Sequence, residues 1–420
     1  MLAINGGTPL IQKKFKKYNT IGEAEYQACK RVLDSGNLSQ FVGCDDEDFF
    51  GGPEIKSFER EWSQFFGVQH SVSVNSNTSG LICALGAAGV EPGDQVIVSP
   101  WSMAASATCI LVWNALPVFA DIEPETFNLD PACVEKLINE KTKAIVVPDI
   151  FGHPANLDAL MKLAEKHHLV LIEDAAQVPG VFYHNKYAGT VGHIGVYSLN
   201  YHKHIHTGEG GVCVTNDPVL AEKMQLIRNH AEAVISSRPD PDLANMIGFN
   251  FRLTELQAAI GREQLKKLPN LLKKIQATAE ALTQGLKDLP GLTLPIAKPH
   301  CTHAYYCYPL VLSDDLASKR NHIVAALEAE GVPAISRGYI NIHTYPMYTK
   351  KMAYGTKGFP WSVYDPKESI KYGPGTCPVA EKLHQQNFFK LEPCVYQYEP
   401  GDVELVIAAF KKVWVHLKDL

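Results

Sequence analysis

A lysine set between an apolar run and a glycine-rich turn is placed for chemistry rather than for solubility. In Ser198-Leu199-Asn200-Tyr201-His202-Lys203-His204-Ile205-His206-Thr207-Gly208-Glu209-Gly210-Gly211, desolvation and neighbouring groups can lower the pKa of Lys203 enough to make an amine nucleophile. A second candidate is Leu169-Val170-Leu171-Ile172-Glu173-Asp174-Ala175-Ala176-Gln177, where an apolar run ends in two carboxylates. Such a pair suits a metal, a ribose or a protonated ring nitrogen, and Asp174 could equally cap the following helix. The third is Val74-Asn75-Ser76-Asn77-Thr78-Ser79-Gly80, a strand running into small polar residues ahead of an apolar helical segment. Its backbone N–H groups and hydroxyls point outward at a helix N-terminus, where a phosphate binds or an ordinary cap forms. His202, His204 and His206 alternate around Lys203 and suggest a metal, but no carboxylate or thiolate lies at a spacing that completes a divalent site. We expect these rings to pack or hydrogen-bond around the loop, with no metal.

The elements that must position these groups are seven short, β-branched runs: residues 71–74, 95–99, 117–121, 144–148, 169–174, 194–198 and 211–215. They alternate with helix-length segments and are near-continuously apolar, as strands buried on both faces are. The fold class is therefore α/β, a mostly parallel sheet flanked by helices, with functional groups gathered at strand ends. A helix is predicted from Thr254 to Leu268, burying Leu256, Ile260 and Leu268, with more charged helix beyond Pro269. From His303 onward a smaller unit is expected. It contains a strand over 305–312, a helix over 321–330 stopped by Gly331, a Gly/Pro/Tyr-rich stretch over 338–375, and a closing helix with Val403, Val406, Phe410, Val413 and Leu417 on its core face. This gives a large domain with an N-terminal arm over 1–268 and a small α+β C-terminal domain over 269–420.

With 420 residues and 46% hydrophobic content, the chain can bury a sizeable core. Its 39 Lys+Arg against 45 Asp+Glu leave a formal charge of −6, which lacks the basic footprint of a nucleic-acid binder and makes any phosphate recognition local. No apolar run approaches the roughly 18 residues of a membrane span, and residues 1–17 lack the apolar stretch of a secretory signal, so the expected address is cytoplasmic. The ten cysteines form no C-x-x-C pair and read as reduced thiols.

Asp174, Gln177, Ser198, Lys203 and Gly208-Glu209-Gly210-Gly211, in that order and spacing, resemble the DegT/StrS-type sugar aminotransferases, pyridoxal-phosphate enzymes of the aspartate aminotransferase fold (fold type I). Further family segments recur along nearly the whole chain: Asn5-Gly6-Gly7-Thr8-Pro9, Phe58-Glu59 ahead of Phe66-Gly67-Val68, Pro117-Val118-Phe119-Ala120-Asp121, Phe151-Gly152-His153-Pro154, Gly248-Phe249-Asn250-Phe251-Arg252, and Cys377-Pro378-Val379-Ala380-Glu381. The resemblance implies that Lys203 forms the internal Schiff base with pyridoxal 5'-phosphate and that Asp174 pairs with the pyridine nitrogen. It places Gln177 near the ring hydroxyl, and Thr78, Ser79 and Ser198 on the phosphate. Asn250 reaches that phosphate from the neighbouring subunit of a homodimer with shared sites. The implied reaction moves an amino group from glutamate or glutamine, through pyridoxamine 5'-phosphate, to a keto- or aldehydo-sugar that is often nucleotide-linked. Three departures stand out. Met103 occupies a position that usually carries an aromatic residue over the cofactor, with Trp101 close by. Pro179 stands where histidine is frequent. Ala231 replaces a common glycine ahead of an untypical segment over 233–246. A dehydratase of the same family is the alternative within it, although that activity goes with histidine at the lysine position. A non-catalytic regulatory protein on the same fold is the alternative outside enzymology.

Overall fold

The computed structural model describes residues 1–238, 241–367 and 369–420. Seven strands form the central sheet: β1 (His70–Val74), β2 (Gln95–Val98), β3 (Leu116–Phe119), β4 (Thr142–Pro148), β5 (Val170–Asp174), β6 (Ile194–Ser198) and β7 (Gly211–Thr215). Their spatial order is β1-β7-β6-β5-β4-β2-β3. β7 runs antiparallel to both neighbours and the remaining pairs are parallel, so six strands point one way and end at one edge. Each strand lies within two residues of the run that predicts it.

The apolar continuity of these strands has a direct structural cause, because each face of the sheet packs against helices. Val196 and Cys213 face one way, toward α2 (Asn77–Ala87) and α3 (Ala105–Val112). Tyr197, Val212 and Val214 face the other, against Phe58, Trp62 and Phe66 of α1 (Pro53–Phe66) and Leu265 of α4 (Glu255–Leu286). On that second face Trp62 stacks on Phe66 at 4.9 Å and meets Tyr197 edge-on at 5.4 Å. α2 lies so close to the sheet that a Cβ at Gly80 would come within 2.5 Å of Val196 Cγ1 and 2.9 Å of Cys213 Sγ. That close approach delivers the N-terminus of α2 to the strand ends.

α4 runs from Glu255 to Leu286 without stopping at Pro269. A capping box starts it: Thr254 Oγ1 accepts from Gln257 N and Gln257 Oε1 accepts from Thr254 N, both at 3.2 Å. An interior proline costs about 3 kcal/mol in a free helix. Here Leu265, Leu268 and Leu272 are buried on the large sheet and Ala279, Leu282 and Leu286 in a second core, so packing on both sides keeps the helix continuous past the proline.

The second core lies under a four-stranded antiparallel sheet of β8 (Leu292–Thr293), β9 (Tyr308–Leu312), β10 (Ile335–Arg337) and β11 (Phe388–Leu391), in the order β8-β9-β11-β10. β9 starts three residues later than the apolar pattern suggests, because Tyr305 adopts a left-handed conformation. Phe389 and Leu391 pack with α5 (Arg320–Ala329) and with Val406, Phe410 and Val413 of α6 (Asp402–Val415). Phe388 faces the opposite way, into the aromatic cluster of Trp101, Phe127 and Phe151. Tyr348, Trp361 and Tyr372 from the Gly/Pro/Tyr-rich stretch likewise pack with the first core. The small sheet is thereby tied to the edge where the strands of the large one end.

Candidate active site

At that edge a cleft is lined by residues from β5 and β6, the turn into α2, the segment before α3, and the Lys203 loop. Asp174 is the last residue of β5 and is buried. Its Oδ2 accepts from Ser106 Oγ at 2.6 Å, and its Oδ1 accepts from Asn77 Nδ2 at 3.2 Å and from Ala176 N at 3.3 Å. Burial raises the pKa of Asp174, while the Ser106 hydroxyl and the positive charge of Lys203 pull it back toward ionisation.

Lys203 is only 8% exposed. Burial lowers its pKa to about 8 against the opposing pull of Asp174. Its Nζ sits 4.3 Å from the centroid of the Tyr306 ring. Among the described residues the amine makes no ion pair within 4.0 Å, with Asp174 or any other carboxylate. The two charged groups thus share a cleft without touching. Lys203 owes its position to a tight turn, in which its backbone N–H donates to Asn200 O at 2.9 Å, and to the return of the chain through Gly210 into β7. At Gly211 a Cβ would meet Ser76 C at 2.7 Å and Asn77 N at 2.8 Å, so only glycine lets β7 start beside the head of α2.

Ser76 caps that helix, its Oγ accepting from Ser79 N at 3.1 Å. Thr78 is exposed and lines the cleft, as does the buried Ser198 at the end of β6. Ser79 is turned away, its hydroxyl donating to Asn75 Oδ1 at 2.6 Å, so it braces the turn rather than lining the cavity. The backbone N–H groups of Asn77 and Thr78 find no acceptor among the described residues. Gln177 lines the cleft with its Oε1 fixed by Phe151 N at 2.7 Å. Met103 lies at the mouth, 63% exposed. Trp101 does not reach the cleft, because its indole N–H donates to Asn341 Oδ1 at 2.7 Å and its ring lies within the aromatic cluster. Asn250 stands outside the cleft of its own chain with an exposed side chain, and its backbone O accepts from Asn75 Nδ2 at 3.3 Å.

The three histidines go separate ways. His202 lines the cleft, His204 is buried with Nε2 donating to Ala304 O at 2.9 Å, and His206 Nδ1 accepts from Gly208 N at 3.3 Å. Several cleft residues escaped the sequence reading of roles: Asn77 and Ser106, which hold Asp174, together with Asp149, Asn200, Glu209 and Tyr306. Ser102, ahead of α3, and Ser106, within it, are four residues apart and hydrogen-bonded at 2.7 Å, a spacing visible in the sequence but common among small residues.

A buried amine, a carboxylate fixed by three donors and a free helix N-terminus together suit a phosphorylated, aromatic, carbonyl-bearing ligand. The sequence pattern of the DegT/DnrJ/EryC1/StrS aminotransferase family matches residues 20–371. The spore coat polysaccharide biosynthesis protein SpsC of Bacillus subtilis (strain 168) is 32% identical over 84% of this chain and 90% of its own. The L-glutamine:2-deoxy-scyllo-inosose aminotransferase of Micromonospora echinospora is 30% identical over 100% of this chain and 99% of its own. Among solved structures, PseC of Helicobacter pylori, an aminotransferase involved in the biosynthesis of pseudoaminic acid, superposes with a TM-score of 0.77. It is 29% identical over 96% of this chain and 100% of its own.

Proposed function

The chain belongs to the DegT/DnrJ/EryC1/StrS aminotransferase family, and from that premise we propose that it transfers an amino group from glutamate or glutamine to a keto- or aldehydo-sugar with pyridoxal 5'-phosphate as its cofactor. The observation that carries this reading is the pairing of a buried, uncommitted lysine amine with a fixed carboxylate across one cleft. The donor set fits the cofactor. Asp174 offers an anion for a pyridine nitrogen, Lys203 an amine for the carbonyl, and Asn77 and Thr78 backbone N–H groups for the phosphate. When bound, pyridoxal phosphate supplies an electron sink that lets the Cα–H bond of the donor break.

The chain's own residues do the rest. Asp174 would hold the proton on the ring nitrogen, and the hydrogen bonds from Ser106 and Asn77 keep its oxygens aimed. With a pKa near 8, Lys203 is partly neutral around physiological pH, which suits an amine that takes the proton from Cα and returns it. Thr78, Ser198 and the head of α2 bind the phosphate, while Ser79 holds that turn in shape. Gln177 and Met103 line the cleft, where Gln177 would meet the ring hydroxyl and Met103 would cover the ring. Asn250 completes the phosphate site of the partner in a homodimer. Residues 1–268 act as the cofactor-holding domain and 269–420 as the small domain that brings Tyr306 to the amine. No described helix is long and apolar enough to cross a membrane, and we assign the enzyme to the cytoplasm.

The test is turnover against a panel of acceptors, including nucleotide-linked keto-sugars, free and phosphorylated keto-sugars and a keto-cyclitol, each with glutamate and with glutamine. Amination of at least one acceptor is expected. A holoenzyme that binds cofactor yet aminates none of them contradicts the proposal.

A further inference from the structure

Asp149 follows β4 directly and stands beside Asp174, with its backbone N–H donating to Asp174 O at 3.2 Å. It lines the cleft and is 1% exposed. Three carboxyl groups therefore crowd the ends of two adjacent strands, and they are unequally provided for. Glu173 accepts three backbone N–H groups, from Gly189 at 2.6 Å, Val191 at 2.8 Å and Gly192 at 2.5 Å. Asp174 accepts the three donors already described. Asp149 has one, Ala155 N at 2.8 Å on Oδ1, while its buried Oδ2 has no partner among the described residues. A buried carboxylate with one donor, next to two buried carboxylates with three donors each, is the member of the cluster whose charge is least compensated and whose acid form is most favoured.

We propose that Asp149 is a positioning residue for the contact between Asp174 and the cofactor nitrogen: a buried carboxylic acid that carries the proton of the cluster and so leaves the negative charge on Asp174. This rests on the reading that Asp174 pairs with the ring nitrogen. Burial and the charges of Glu173 and Asp174 push the pKa of Asp149 well above the usual carboxylate range; burial raises Glu173 too, against the pull of its three backbone donors, so it is the donor count that assigns the proton to Asp149. The titratable groups facing it are Glu173 and Asp174 from β5, Tyr197 from β6, and Cys301 from the segment ahead of β9. None of these is a cation that would favour ionising Asp149, and Lys203 exerts its pull on Asp174. Ionisation of Asp149 at alkaline pH would add a negative charge beside Asp174 and, through Asp174, alter the electronic spectrum of the bound cofactor.

The experiment follows the carboxylic-acid C=O stretch by infrared difference spectroscopy, and the visible cofactor band in parallel, on the holoenzyme across neutral to alkaline pH. In the wild type the acid band is expected at neutral pH and should bleach with the same midpoint as an alkaline shift of the visible band. In Asp149→Asn, which keeps the shape and an acceptor for Ala155 N, the acid band should be lost, and with it the component of the alkaline shift that shares its midpoint. The wild-type coincidence of midpoints needs no variant, so a misfolded mutant would leave the proposal testable. A band that survives in Asp149→Asn, or midpoints that differ, overturns the inference and leaves the role of Asp174 standing. A band lost in Asp174→Asn instead places the proton on Asp174 and overturns the reading beneath it as well.

Discussion

The two ends of the cleft are built differently. At one end Asp174 is buried and commits its oxygens to Ser106, Asn77 and Ala176 N. At the other end Thr78 is exposed, the N–H groups of Asn77 and Thr78 lack acceptors among the described residues, and Asn250, the residue read as belonging to this end, stands outside the cleft of its own chain. The carboxylate end is preorganised by the fold, as suits a charge that must act in a low-dielectric site without rearranging. The end we assign to the phosphate is an open helix terminus, complete on that reading only when an anion and a second subunit arrive. Asn77 joins the two, since its side chain holds Asp174 while its backbone N–H opens the helix.

Mutations should separate the ends by the kind of loss they cause. Lys203→Ala lies at the chemical centre of the cleft and should reduce transamination below detection with any substrate pair. Asp174→Asn should cost of order 10²-fold or more in kcat while retaining cofactor, because an amide cannot hold the ring proton as a carboxylate does. Activity within threefold of wild type would reduce Asp174 to a structural residue. Ser106→Ala removes one charge-assisted hydrogen bond, and a loss of about tenfold in kcat with normal cofactor content is expected. Thr78→Ala should act on the other end, weakening cofactor affinity a few-fold by equilibrium dialysis and leaving kcat nearly intact at saturation. Were Thr78→Ala to lower kcat as much as Ser106→Ala, the contrast between a finished and an open end would fail.

The burial of Lys203 gives the same contrast a thermodynamic form. Its charged state is disfavoured in the folded, cofactor-free protein, whose lysine titrates near 8. Below that pH the full penalty is present, and it fades as pH rises toward the unfolded lysine value. Lys203→Met should therefore stabilise the cofactor-free protein at pH 7, by at most about 3 kcal/mol, and the gain should shrink by pH 10. Denaturant melts at the two pH values read this directly.

The legible parts of the molecule were those with strong local periodicity or unusual composition. All seven central strands announce themselves by apolar runs, Asp174 by its place at the end of one, and Lys203 by its place between one and a glycine-rich turn. β11 did not, because Phe388-Phe389-Lys390-Leu391 is short and a charged residue interrupts its apolar pattern. The continuation of α4 past Pro269 was equally hidden, since it is decided by two cores that meet the helix from distant parts of the chain. The Ser106–Asp174 bond spans 68 residues and joins an ordinary serine to a strand end, so only the fold reveals it. Ser79 shows the reverse case: a residue read from its motif as a ligand contact has its hydroxyl engaged by Asn75.

The most direct test of the account is to ask which lysine carries the cofactor. Borohydride reduction of the purified holoenzyme should bleach its visible band and fix the cofactor covalently to Lys203, identified by peptide mass spectrometry. Preincubation with the amino donor should protect that site. A label on any other lysine, or a fully active enzyme with no label at all, would contradict the assignment of Lys203 and, with it, the reading of the cleft.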